Sequence, residues 1–71
     1  MIITVKIEGM HCGMCEAHIN NIIRNTFKVK KVKSSKRKGQ SIIWTDNDVD
    51  DAELAMSIKN AGYEVISISR K

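Results

Sequence analysis

Ile3, Val5 and Ile7 alternate with Thr4, Lys6 and Glu8, and a few residues later the apolar spacing lengthens to that of a helix. This change of period limits what the chain can fold into. A spacing of two buries one face of a strand, and a spacing near 3.6 buries one stripe of a helix. From Gly13 to about Thr26 the stripe is Cys15, Ile19, Ile22 and Ile23, followed by Phe27. Residues 29–34 return to a β-capable pattern loaded with lysine. Lys36-Arg37-Lys38-Gly39-Gln40 is a polar turn and 41–45 a strong strand, so the two runs predict a β-hairpin. Asp46-Asn47-Asp48 ends it. Asp50 then reads as a helix N-cap with Glu53 as its capping-box partner, and Leu54, Ile58 and Ala61 form one helical face. Gly62 suits the left-handed position after that helix, and 64–69 is a last strand.

The order β-α-β-β-α-β predicts an α+β, ferredoxin-like fold, with two helices on one face of a four-stranded antiparallel sheet. Its elements alternate in direction. Cys12 and Cys15, the turn Lys36-Arg37-Lys38, and Gly62-Tyr63 are therefore expected at one end of the molecule. A chain of 71 residues is one domain, 1–71, with a thin core. Folding buries only about 60% of the surface of so short a chain. A cleft between lobes has no room, which excludes two-domain and Rossmann enzymes. No apolar run approaches the roughly 20 residues of a membrane span. The alternating N-terminus is too short and polar for a signal-peptide core. A cytoplasmic protein without direct membrane insertion is expected. The start at Met1 and the end at Lys71 fit a stand-alone product, although a domain excised from a larger pump reads the same.

The two cysteines, Cys12 and Cys15, carry the chemistry. A disulfide across two intervening residues closes a tiny loop and stabilises little, and the cytosol keeps thiols reduced. A C-x-x-C pair otherwise serves redox exchange or metal binding. A loop running into a helix aims both sulfurs at one point, and the helix N-terminus favours a thiolate for either purpose. A thioredoxin-like oxidoreductase needs more chain, and usually a proline facing the pair. This sequence has none.

Gly9-Met10-His11-Cys12-Gly13-Met14-Cys15, after a strand and opening a helix, resembles the Gly-Met-x-Cys-x-x-Cys signature of heavy-metal-associated domains. These are the copper chaperones and the N-terminal metal-binding domains of P-type ATPases. The resemblance spans essentially the whole chain. It implies a carrier, not an enzyme, whose Cys12 and Cys15 hold Cu(I) in near-linear geometry and pass it by thiolate exchange to a P-type ATPase. Soft thiolates select Cu(I) and related ions. A regulatory domain of a heavy-metal ATPase and a carrier of Hg, Zn or Cd are the alternatives, with a thiol oxidoreductase behind them. The resemblance also implies that Met10 points into the core and holds the loop, and that Tyr63 shields or tunes the thiolates. By its own chemistry Met10 could instead be a thioether ligand, and Tyr63 a half-buried packing residue. His11 reads as a solvated loop residue and Met14 as exposed. His18, at i+3 from Cys15, reads as lying on the wet face of the helix. Cys12, Cys15, His11 and His18 would supply four zinc ligands on paper, but helix geometry opposes this. Two chains sharing one ion through four cysteines is easier, so a monomer is expected, with a metal-bridged dimer as the alternative. Glu16 departs from the family pattern, which favours an apolar or small residue there, as does Lys28-Val29 where Gly-Val is common.

Charge is uneven. The net charge is +4, but 28–38 alone hold seven cations: Lys28, Lys30, Lys31, Lys33, Lys36, Arg37 and Lys38. One reading is a solvated hairpin whose lysines guard an edge strand. The other is a docking surface, Lys30, Lys31, Lys33, Lys36, Arg37 and Lys38, steering the protein to an acidic partner such as a metal-binding domain with an acidic face. Phe27, Trp44 and Tyr63 are the only aromatics, so no stacking platform accompanies the cations and nucleic acid is not expected.

Overall fold

The structure, a computed structural model, describes residues 1–71. Its elements are β1 (Ile2–Glu8), α1 (Gly13–Thr26), β2 (Lys31–Ser35), β3 (Gln40–Trp44), α2 (Asp51–Asn60) and β4 (Glu64–Arg70). The strands pair antiparallel in the order β2-β3-β1-β4, the ferredoxin-like arrangement. The alternation of β1 is realised directly: Ile3, Val5 and Ile7 are buried and meet Ile43 and Val32 from β3 and β2. The helices cover that face with Ile19 and Ile23 of α1 and Leu54 and Ile58 of α2. Each such side chain taken from water contributes about 1.5–3 kcal/mol, and a chain this small has few of them to lose.

Two polar features complete the interior. The Ser34 hydroxyl donates to Asn20 Oδ1 at 2.6 Å, which leaves Ser41 Oγ, 2.7 Å away, to donate to Ser34. This chain ties α1 to β2 and β3, and no buried side-chain polar atom lacks a partner. At the end of β3, Thr45 Oγ1 donates to Asn47 O and accepts the Asn47 N–H, which turns the chain toward α2.

The structure departs from the sequence pattern in local detail. β2 begins at Lys31, two residues later than its composition suggests, although the Lys30 N–H still donates to Trp44 O and Val29 packs on the core. The capping box is absent. Asp50 occupies the N-cap position, but its side chain makes no cap hydrogen bond. The neighbouring carboxylates are engaged elsewhere, Asp48 by the Val49 N–H at 2.9 Å and by Arg70, and Asp51 by Arg70. β4 pairs with β1 through an irregularity between Lys6 and Ile7, which passes over Ile66 and leaves it 64% exposed. Gly62 has φ +98°, the left-handed position its place after α2 requires.

Direction alternates as the connectivity demands. The β2–β3 turn meets the end of β1 through Ile7 N–H to Gly39 O at 2.8 Å. The opposite end gathers the 45–50 loop, Arg70 and both chain ends, where Ile2 and Lys71 exchange backbone hydrogen bonds of 3.2 and 2.8 Å. No helix is long and apolar enough to cross a membrane.

Candidate metal centre

The loop between β1 and α1 is short and is held from below. Gly9 turns the chain at φ +100°, and a side chain there would meet the Tyr63 ring and Gly62 O. Met10 follows with 5% exposure, its side chain in the core cluster, and fixes the loop by burial. His11 and Cys12 are exposed. Cys12 is the N-cap of α1, with extended backbone, and its carbonyl accepts the N–H groups of Cys15 at 3.0 Å and Glu16 at 3.3 Å. Cys15 is therefore fixed in the first turn while Cys12 stands on the loop. Met14 between them is 82% exposed.

The two sulfurs are 3.0 Å apart and both are free thiols, Cys12 exposed and Cys15 half-buried. The Cys15 thiol is lowered from 9.0 to about 7. The Tyr63 hydroxyl contributes most, followed by Cys12 and the backbone at His11 and Cys12, against partial burial. The converse holds for Tyr63. Its hydroxyl is held protonated, up to about 12, by Cys15 and by burial. The same hydroxyl lies 3.5 Å from His18 Nδ1, and the His18 ring stands edge-on to the Tyr63 ring at 6.0 Å. His18 is exposed, as its helical position suggests, but it faces the site through Tyr63. That contact joins residues 45 apart in sequence, and no local pattern signals it. No group of three or more His, Cys, Asp and Glu side chains gathers to hold a metal, so neither histidine joins the cysteines as a ligand set.

The sequence-predicted cations separate into three places. Lys36, Arg37 and Lys38 lie on the turn at the cysteine end. Lys31 and Lys33 stand on the outer face of β2, and Lys30 pairs with Asp46 at 3.2 Å near the other end. Glu16 was marked in the sequence only as a departure from the family pattern. Its carboxylate accepts the Lys36 N–H at 2.7 Å, tying the first turn of α1 to the basic turn.

Comparison with known proteins places this geometry. No family model matches the chain. It is 27% identical over 63 residues to the copper chaperone CopZ of Staphylococcus aureus, covering 87% of this chain and 93% of that one. Among solved structures, a CopZ metallochaperone superposes with a TM-score of 0.82 at 24% identity, over 93% of this chain and 100% of that chain. The N-terminal domain of ZntA in its Zn(II) form superposes with a TM-score of 0.80 at 25% identity, over 90% and 86%. These relatives, matched over nearly their whole length, are a copper chaperone, a metallochaperone and a domain in a Zn(II) form, whereas a mercuric reductase of Lysinibacillus sphaericus, 28% identical over 60 residues, is matched over only 11% of its length. Relatives, fold and cysteine loop agree: the chain is similar to heavy-metal-associated domains.

Proposed function

We propose that this chain is a cytoplasmic Cu(I) carrier that binds the ion through Cys12 and Cys15 and delivers it to the metal-binding domain of a P-type ATPase. One observation carries the reading. Two free thiols stand 3.0 Å apart, one exposed and one ionising near neutral pH, with no further ligand gathered at the pair. Two soft ligands suit Cu(I), and the open coordination space lets a partner's thiolate enter. In that exchange the incoming thiol gives up its proton and bonds to Cu(I). The ion is then three-coordinate. The Cys12–copper bond breaks, the released thiolate takes up a proton, and copper stays Cu(I) throughout. Cys15, fixed in the helix, holds the ion while Cys12 leaves, until a second partner thiol gives up its proton and bonds to Cu(I), the Cys15–copper bond breaks and the Cys15 thiolate takes up a proton. Lys36, Arg37 and Lys38, beside the loop, draw an acidic partner toward the thiols.

The likeness to a zinc-form domain supports a second reading, a Zn(II) carrier. Tetrahedral Zn(II) needs two ligands beyond Cys12 and Cys15, which a second copy's cysteines would supply. Anaerobic competition against a Cu(I) chelator, with Zn(II) in parallel, decides between them. The copper reading expects tight one-to-one Cu(I) binding and far weaker Zn(II). Cys12→Ser should weaken Cu(I) by more than about a hundredfold, beyond what loss of an outer-shell partner costs. Tighter Zn(II), or Cu(I) binding indifferent to Cys12, would sink it.

A further inference from the structure

Strand register sorts the lysines of the basic segment by face. Val32 and Ser34 of β2 turn inward toward α1, so Lys31 and Lys33 stand on the face that no helix covers. Across that face Lys31 lies in one row with Trp44 and Ile2, and Lys33 in the next with Ile42 and Thr4. A third row carries Ser35, Gln40 and Lys6, whose ammonium donates to Gln40 Oε1 at 3.0 Å. Lys31 Nζ sits 5.1 Å from the centre of the Trp44 ring. Beyond the rows, Arg37 and Lys38 join Lys33 around a shallow groove of about 300 Å³ with Ser35, Gln40 and Ile42. None of Lys6, Lys31, Lys33, Arg37 and Lys38 is engaged in a salt bridge.

We propose that this uncovered sheet face is a docking surface for an anionic lipid bilayer. Charge complementarity selects the occupant. Lys6, Lys31 and Lys33 stand on the face and Arg37 and Lys38 on the turn at its edge, outnumbering Glu8 and Glu64 in its last β1–β4 row, and each lysine or arginine near an anionic lipid surface raises partitioning roughly fivefold. Trp44, flanked by lysine, suits the headgroup level, where an apolar ring with a polar edge is at home. The groove between Lys33, Arg37 and Lys38 has room and charge for a headgroup phosphate. A second copy stacked face to face would set Lys31 and Lys33 against themselves, and a lone tryptophan is no stacking platform for bases. The cysteines lie at the end of the sheet, on the loop into α1, so docking by the face leaves them uncovered. Metal identity plays no part in the proposal.

Apo protein mixed with phosphatidylglycerol-containing vesicles, and separately with phosphatidylcholine vesicles, tests it by co-sedimentation and by Trp44 fluorescence. The protein should sediment with the anionic vesicles alone, Trp44 emission should shift to the blue, and added salt should release it. Lys31→Gln with Lys33→Gln should lower partitioning roughly thirtyfold, two cations' worth, with an unchanged unfolding midpoint. Arg24→Gln with Lys59→Gln removes as much charge from the helices and should cost far less. The proposal is overturned if anionic vesicles do not retain the protein, if Trp44 emission does not move, or if both double variants lose equally. It is equally overturned if single-stranded DNA or polyglutamate binds more tightly than the vesicles. Any of these results leaves Cu(I) binding by Cys12 and Cys15 untouched, since that affinity is measured without lipid.

Discussion

The two ends of the sheet solve loop closure in opposite ways. At the far end, Arg70 reaches across from β4 to bind Asp48 at 2.9 Å, Val49 O at 2.6 Å, and Asp51. Thr45 ties its own turn through the Asn47 backbone. At the cysteine end the loop is held by a buried thioether side chain and backbone bonds to Cys12 O. Its polar groups are left facing outward. Apolar anchorage fixes a loop without engaging its polar side chains, whereas at the far end Asp48 and Asp51 are already taken by Arg70. Reactivity and closure are thus assigned to different ends of one sheet.

Met10 is the sharpest place to break that contrast. Met10→Ala should cost about 2–5 kcal/mol in urea unfolding, the range for deleting a buried methionine side chain, and should loosen the cysteine loop along with the core. Arg70→Met should cost less, because exposed ion pairs are screened by water. Equal losses would mean that both ends are held alike.

Tyr63→Phe sharpens the comparison at the thiols. It should return the Cys15 thiol from about 7 toward 9.0, read from the pH dependence of its alkylation rate. The sign for stability follows. Cys15 is depressed on folding, so its contribution is present above 9.0 and fades as pH falls through about 7. The apo protein should therefore gain stability between those values, and Tyr63→Phe should flatten the gain. The smallest effect belongs to the far end in acid. The Arg70 guanidinium holds the Asp51 carboxyl below its ordinary 3.8, so that contribution is present above 3.8 and lost as pH falls further. Acid unfolding of Arg70→Met should lack this component, and superposable acid profiles would refute the clamp.

Most of the fold was legible because its determinants are periodic and local. Ile3, Val5 and Ile7 announce β1, Ile19 and Ile23 announce the buried stripe of α1, and Gly62 ends α2 at a positive φ. The cysteine pair was legible because its spacing and its place before a helix are themselves the signal. What escaped depends on which distant side chain arrives first. Asp50 reads as a capping residue until Arg70, from the other end of the sequence, organises the carboxylates on either side of it. Glu16 acquires its partner only when the hairpin folds back over α1, and His18 meets Tyr63 only across the closed end. The division of the lysines by face was present in the alternation of Lys31, Val32, Lys33 and Ser34, but reading it requires knowing which face the helices take.

The bonded pair of chain termini has a consequence for how such a unit can be assembled. Ile2 and Lys71 lie side by side, at the end away from the thiols. A tether, a fluorescent reporter or a tandem copy fused at either terminus would leave through the same corner and keep clear of the ion's route. Strung in series, such units would present their thiols outward like beads with free faces, and circular permutation through a short linker between the ends would keep the sheet intact.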